Sequence, residues 1–236
     1  MNARLLAFDT STEVLSVALQ CDAGLLTWNG PGGALASAQL LPQVRLLLQQ
    51  AGFELSRLQA IAFGQGPGAF TGLRTACAVA QGLALGAALP LRPVDSLLIV
   101  AEGVRVEHPG APAEIDVVMD ARMGEVYAGR YHWTGARWAV ISLPALVSLD
   151  GLHAAWALQP PRGVAGSALA AFGERMHSGE ALRLGEPIDR AAALMRLAQQ
   201  RWRDDGGIDA ADALPLYLRD KVALTVAERE ARKVAP

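Results

Sequence analysis

Two stretches of the chain repeat one layout. LLAFDTSTEVLSVAL opens the sequence, and VVMDARMGEVYAGRY stands near its middle. Each has an apolar run, an aspartate at its end (Asp9, Asp120), a tight turn, a glutamate and a second apolar run. Short apolar runs bounded by turn signals are buried strands, so each stretch reads as strand, aspartate, turn, strand. If the echo is a duplication, the chain is an α/β protein of two similar lobes with a cleft between them. If it is coincidence, it reflects only that buried strands often end in Asp. The 236 residues allow one large domain or two small lobes around a substantial core.

The rest of the chain fits an alternating order. Strands are expected at Leu5–Phe8, Leu15–Gln20, Gly24–Trp28, Ala60–Phe63 and Leu91–Val94. Between them Leu40, Leu41, Val44, Leu47, Leu48 and Ala51 recur at helical spacing, and Gly52 closes that helix. A second helix is expected over Thr71–Ala88, and Ser96 is placed to cap a third. A linker rich in Pro, Gly and Ala follows over Glu107–Glu114. Strands are then expected at Ile115–Met119, Glu125–Trp133 and Arg137–Ile141, and helices at Leu149–Leu158, Ser167–Met176 and Asp189–Arg203.

Two features bear on function. The first is the loop GQGPGAFTG, between a strand and a helix. Backbone N–H groups and the positive helix end there suit an anion. Yet neither GxxxxGK[ST] nor GxGxxG is met, and Arg74 comes well after the glycines. A phosphate cradle and a close-packed crossing of backbone therefore both stand. The second is the helix itself. From Thr75 to Ala88 only Thr75 and Gln81 are clearly polar, so several of its sides need cover. The cover is either a partner chain or the interior of its own lobe.

Other chemistry finds little support. His108, His132, His153 and His177 are scattered without HxxxH or HExxH spacing, so no metal site is expected. Gly166-Ser167 lacks the GxSxG frame of a serine nucleophile. Asp9 and Asp120 could face each other across a cleft around a metal-nucleotide, or each could cap its own turn; the turn role ranks higher. Cys21 and Cys77 form no CxxC pair. The amino terminus is unlike a signal peptide, and the tract from Ala76 to Leu91 is broken by Gln81, glycines and Pro90. A cytoplasmic protein with no membrane association is expected. A net charge of −2 argues against strong solitary binding of nucleic acid. Arg219, Lys221, Arg229, Arg232 and Lys233 are modest candidates for contact.

The segments LLAFDTSTEVLSVAL, LLPQV, GQGPGAFTGLR, AVAQGLALG, MDARMGEVYAG and PLYLRDKV occur in this order. In that arrangement the chain closely resembles the bacterial TsaB (YeaZ) family, from the first strand to about Val222. The resemblance implies a two-lobed α/β fold of the actin, Hsp70 and sugar-kinase class (ASKHA), with duplicated ribonuclease H-like halves. The lobes would be residues 1–104 with 208–236 returning to them, and 105–207. Tyr217 and Leu218 would anchor a last helix on the first lobe.

It also implies a noncatalytic subunit in the synthesis of N6-threonylcarbamoyladenosine, at the tRNA adenosine after the anticodon. Such a subunit dimerises with the transferase TsaD, and the ATPase TsaE joins them. The partner face would comprise Leu40, Leu41, Val44, Leu48, Thr71, Leu73, Arg74, Cys77, Ala80, Gln81 and Ala84. A homodimer through the same helices is expected when TsaD is absent, and Ala80→Arg or Ala84→Arg should block pairing without harming the fold. A nucleotide cleft would involve Asp9, Thr10, Ser11, Gly66, Gly68 and Asp120. No catalytic residue, metal or intrinsic cofactor is implied, although ATP or ADP could act in the complex. Relatives carry His-Ser before Leu-Leu-Pro, where this chain has Ala36. The competing readings are an actin-fold small-molecule phosphotransferase and a glycoprotease.

Overall fold

A computed structural model describes residues 2–205 and 207–219. Among them, β1 (Leu5–Asp9), β2 (Val14–Cys21) and β3 (Gly24–Pro31) form an antiparallel meander, and β4 (Ala60–Gly66) and β5 (Leu91–Asp95) continue the sheet parallel to β1. The order is β3-β2-β1-β4-β5. The second sheet repeats it. β6 (Glu114–Asp120), β7 (Glu125–Trp133) and β8 (Trp138–Ser148) form the meander, and β9 (Gly163–Ala165) and β10 (Leu182–Gly185) run parallel to β6, in the order β8-β7-β6-β9-β10. The two sheets thus follow the same path, and Asp9 and Asp120 end equivalent strands. The duplication suggested by the echo is present.

Every residue of β1 is buried because helices cover both faces of the first sheet. That is why it reads as a continuous apolar run rather than an alternation. Leu6 and Phe8 point to the outer layer of α1 (Ala36–Gln50) and α2 (Phe70–Ala87). Leu5 and Ala7 point to the inner layer of α3 (Ser96–Glu107) and α6 (Arg190–Asp205). α3 packs on both sheets and is buried from Ser96 to Val104. The central buried helix allowed by the sequence is therefore α3, not α2. Its cap is Asp95, not Ser96: the Asp95 carboxylate accepts from the N–H groups of Leu97 (2.9 Å) and Leu98 (3.4 Å). The Tyr131 hydroxyl also donates to Asp95 at 2.6 Å, and burial raises this carboxyl above its usual range.

Other differences have local causes. β8 runs on to Ser148 through Pro144, which an edge strand tolerates because one side of it needs no donor. α5 is only Ala168–Phe172, and α4 (Leu149–Leu158) matches expectation. α6 falls within the stretch expected in the second lobe, yet it packs on β1, β2, β3, β5 and α3. Its apolar stripe of Ala191, Leu194, Met195 and Ala198 belongs to the same core as β1.

Residues 207–219 then return along the first lobe with one short turn at Ala210–Asp212; a last helix beyond them falls outside the described residues. Ile208 pairs with Leu91, and the Leu216 N–H donates to Gln65 O at 2.7 Å. Lys221, Arg229, Arg232 and Lys233 lie outside the described residues.

Candidate functional site

A cavity of about 740 Å³ lies between the lobes, bounded by Asp120 and by the turn that follows Asp9. Ser11, Gly68 and Phe70 line it from one side, Asp120 and Ser167 from the other, and residues 216–219 close one edge. Ser11, Gly68 and Asp120 are thus where a cleft reading puts them. Asp9, Thr10 and Gly66 are not among the lining residues, which corrects that part of the expectation.

Asp9 is fully buried. Its Oδ2 accepts from Arg190 Nη2 (2.8 Å) and Ser11 Oγ (2.8 Å), and its Oδ1 from the Ser11 N–H (3.1 Å) and Ser96 Oγ (3.4 Å). Thr10 donates its hydroxyl to Gly72 O at 2.6 Å. Gly66 lies beneath the returning chain, where a Cβ would stand 2.8 Å from Leu216 O. Asp120 accepts from its own turn, at the Arg122 N–H (2.8 Å), and from the Arg122 side chain (3.1 Å). Arg122 also reaches Glu13 across the cleft at 3.0 Å. Each aspartate caps its turn and is engaged by an arginine.

These residues do not fit a metal-nucleotide held in this chain's own cleft. The Asp9 carboxylate is occupied by a guanidinium, and Asp120 has its own. The glycine loop serves the other alternative, close backbone packing. A methyl on Gly72 would overlap the Thr10 carbonyl, one on Gly68 the Ser11 carbonyl, and one on Gly64 the Asp9 carboxylate. The turn after β1 therefore packs directly against the loop and the first turn of α2. Arg74 points elsewhere, lying 3.8 Å above the Phe70 ring and donating to Tyr217 Oη at 3.0 Å. Among the described residues no group of three or more His, Cys, Asp or Glu could hold a metal ion.

Gly72→Ala therefore tests the packing role. It should cost about 3 kcal/mol, the upper range for overpacking, and lower Tm by about 6 to 12 °C. Gly82 faces open space in the same helix. Gly82→Ala should instead raise stability by about 0.5 to 1 kcal/mol. Thermal melts of the two variants check the contrast.

The outer face of α1 and α2 is the second candidate, and here the expected residues separate. Leu40, Val44, Cys77, Ala80 and Ala84 are buried against the chain's own first sheet, and Leu73 is buried beside the cavity between the lobes, so none of them lies on the outer surface. The spacing of Leu73, Ala76, Cys77, Ala80 and Ala84 is the inward stripe of a helix on a sheet. Ala80→Arg and Ala84→Arg would break the core rather than probe an interface. Gln81 is half-buried and holds the returning chain, donating to Ala210 O and Ala213 O at 3.1 Å each. Leu41, Thr71 and Arg74 are exposed, and Leu48 is half-buried.

The outward stripe also includes Ala38, Leu46, Ala78, Gly82, Leu85 and Gly86, which the sequence reading did not single out. Leu85 is 71% exposed. Gly82 and Gly86 have no atom within 4 Å of a built Cβ. Thr71, Arg74 and Thr75 mark this stripe in the sequence, and continuing their helical spacing would have found it.

Comparison with known proteins follows the same line. Residues 35–223 match the family model described as TsaD, tRNA N6-adenosine threonylcarbamoyltransferase. The chain is 34% identical over 229 residues to the tRNA threonylcarbamoyladenosine biosynthesis protein TsaB of Escherichia coli strain K12, covering 93% of this chain and 96% of that protein. It is 32% identical to the TsaB protein of Haemophilus influenzae, covering 94% and 95%. Among solved structures, YeaZ from Pseudomonas aeruginosa superposes with a TM-score of 0.81 at 36% identity, over 92% of this chain and all (100%) of that one. A second Pseudomonas aeruginosa structure, described as similar to peptidase YeaZ, gives 0.83 at 36% identity with the same coverage.

Proposed function

The chain belongs to the TsaB (YeaZ) family of tRNA threonylcarbamoyladenosine biosynthesis proteins, and from that premise we propose that it is the noncatalytic subunit supporting the transferase TsaD. In this reading TsaD is bound by the outward stripe of α1 and α2, and TsaE joins the pair. Two copies of this chain pair through the same stripe when TsaD is absent.

The observation that carries the reading is Gly82. A glycine inside an exposed helix costs about 0.8 to 1 kcal/mol relative to alanine. Nothing among the described residues needs the space, since none of their atoms lies within 4 Å of a Cβ there. Close approach of another backbone accounts for it. Leu41, Leu85 and Ala78 on the same side supply apolar surface.

The noncatalytic role is supported by the cleft, where Asp9 is held by Arg190 and the glycine loop is filled by backbone. Nucleotide, where it takes part, is assigned to the complex rather than to this cleft. Among the described residues no helix is long and apolar enough to cross a membrane.

Reconstitution tests the proposal. TsaD, TsaE, unmodified tRNA, ATP and the threonylcarbamoyl donor should give the modified nucleoside only when this chain is added. The chain alone should neither modify tRNA nor hydrolyse ATP. Product formed without it, or sugar phosphorylation by the isolated chain, overturns the reading in favour of an enzyme.

A further inference from the structure

Two adjoining cavities lie at the opposite end of β1 from Asp9. One, of about 610 Å³, is lined by Gln20, Trp133, Arg196 and Gln200 among others. The next, of about 540 Å³, is lined by Arg4, Asp22, Gln59 and Trp202. Both are lined by Asn2, Gln199 and Arg203, so they form one continuous groove. Neither the cleft nor the outer helices use any of these residues.

Trp133 and Trp202 are among the lining residues, and Trp133 is held in place. The Arg105 guanidinium lies 4.0 Å from the Trp133 ring centroid, and Trp138 meets that ring edge-on at 5.5 Å. Trp138 Nε1 donates to Glu102 Oε2 at 2.9 Å. The same buried carboxylate accepts from Arg105 Nε and Arg196 Nε, each at 3.0 Å. Arg4, Arg196 and Arg203 among the lining residues thus stand against Glu102 and Asp22. Asp22 is met by Arg57 at 3.4 Å. Arg4 and Arg203 add to the positive rim, although the whole chain carries −2. Local cationic character therefore persists within a mildly acidic protein.

We propose that this groove binds single-stranded RNA, with bases stacked against Trp133 and Trp202 and phosphates met by Arg4, Arg196 and Arg203. The inference rests on the proposed role in tRNA modification and deepens it by naming a direct contact. Cations along a groove interleaved with indole faces are what an unstacked strand requires. A regular RNA helix keeps its bases out of reach of such concave walls. Asn2, Gln20 and Gln59 add amide groups to the lining, which suits base edges as well as phosphates.

The test uses the full chain and a short fluorescein-labelled oligouridylate. Binding should quench tryptophan fluorescence and weaken as salt rises. Arg203→Glu, at an exposed position, should lower affinity about tenfold and flatten the slope of log K against log salt by about 0.7. Trp133→Leu should cost about tenfold and remove part of the quench. Absence of salt-dependent binding overturns the inference, as does wild-type affinity in Arg203→Glu. Equal competition by polyglutamate overturns it too, because the groove would then suit an acidic protein. The assay needs no partner, so it reads separately from the proposed function. A reconstituted complex that modifies tRNA with a chain that binds no RNA would sink this inference alone.

Discussion

Gly82→Arg is expected to weaken capture of TsaD at least about a hundredfold while leaving the isolated chain as stable as the wild type or slightly more so. Gly82 is exposed on α2, and its Cβ direction is open. In a single copy of the chain an arginine there meets no atom of the described residues and replaces the poorest non-proline helix former; it should break the self-pairing of the chain along with capture of TsaD. Against a close-packed partner the same side chain brings an unpaired charge into an apolar contact. Leaving a buried charge without a partner costs about 3 to 5 kcal/mol, and each 1.4 kcal/mol is about tenfold in affinity. Leu85→Arg should act in the same direction.

Ala80→Arg supplies the contrast. Ala80 is fully buried beside Leu6, Phe8 and Ile61 in the outer core, so its variant should fail to fold. Pull-down with TsaD, read beside thermal melts of the free chains, separates the cases. A Gly82→Arg chain that folds and captures TsaD like the wild type would remove α2 from the partner face.

How much of this was legible before folding differs from feature to feature. The paired strand-aspartate-turn-strand segments made two equivalent sheets one of two open readings, because strands buried on both faces write continuous apolar runs that need no long-range information. α4 and β7 were read with their observed bounds, since turn and cap residues flank them. β9 and β10 passed unnoticed: three and four residues hold no period to recognise. At Asp95-Ser96 two good cap residues stand together. The choice fell to Asp95 through its extended backbone and its bond to Tyr131, 36 residues away.

Which side of α2 faces the sheet was hidden in the sequence for a related reason. α2 is apolar on both sides, so composition could not say which side meets the sheet; only the phase of Thr71, Arg74 and Thr75 carried that. The role of the glycine loop was open in sequence because its neighbours come from far along the chain, Thr10 meeting Gly72 from 62 residues away.

The Asp9–Arg190 pair lay beyond any sequence reading, being 181 positions apart, and it sets the last expectation. Arg190→Leu should destabilise the chain by about 3 to 5 kcal/mol, the range for breaking one side of a buried pair. Asp9 is fully buried and Arg190 is 2% exposed. Without the guanidinium, the carboxylate keeps only Ser11 and Ser96 as partners. Arg190 is also the first residue of α6, where a cation opposes the helix dipole. Its place there is set by the aspartate, not by the helix, whose start is already served by Asp189 accepting from the Ala192 N–H at 3.0 Å. The pair therefore pins α6 to the end of β1.

Adding Asp9→Asn to Arg190→Leu should restore most of the loss. The amide oxygen can still accept from the Ser11 N–H, and no buried charge remains. Denaturant unfolding of the wild type, both single variants and the double variant gives the coupling directly. A coupling near zero would mean that the two groups share a distance but not an energy. A large coupling would show that the Asp9 charge is committed to holding the fold together.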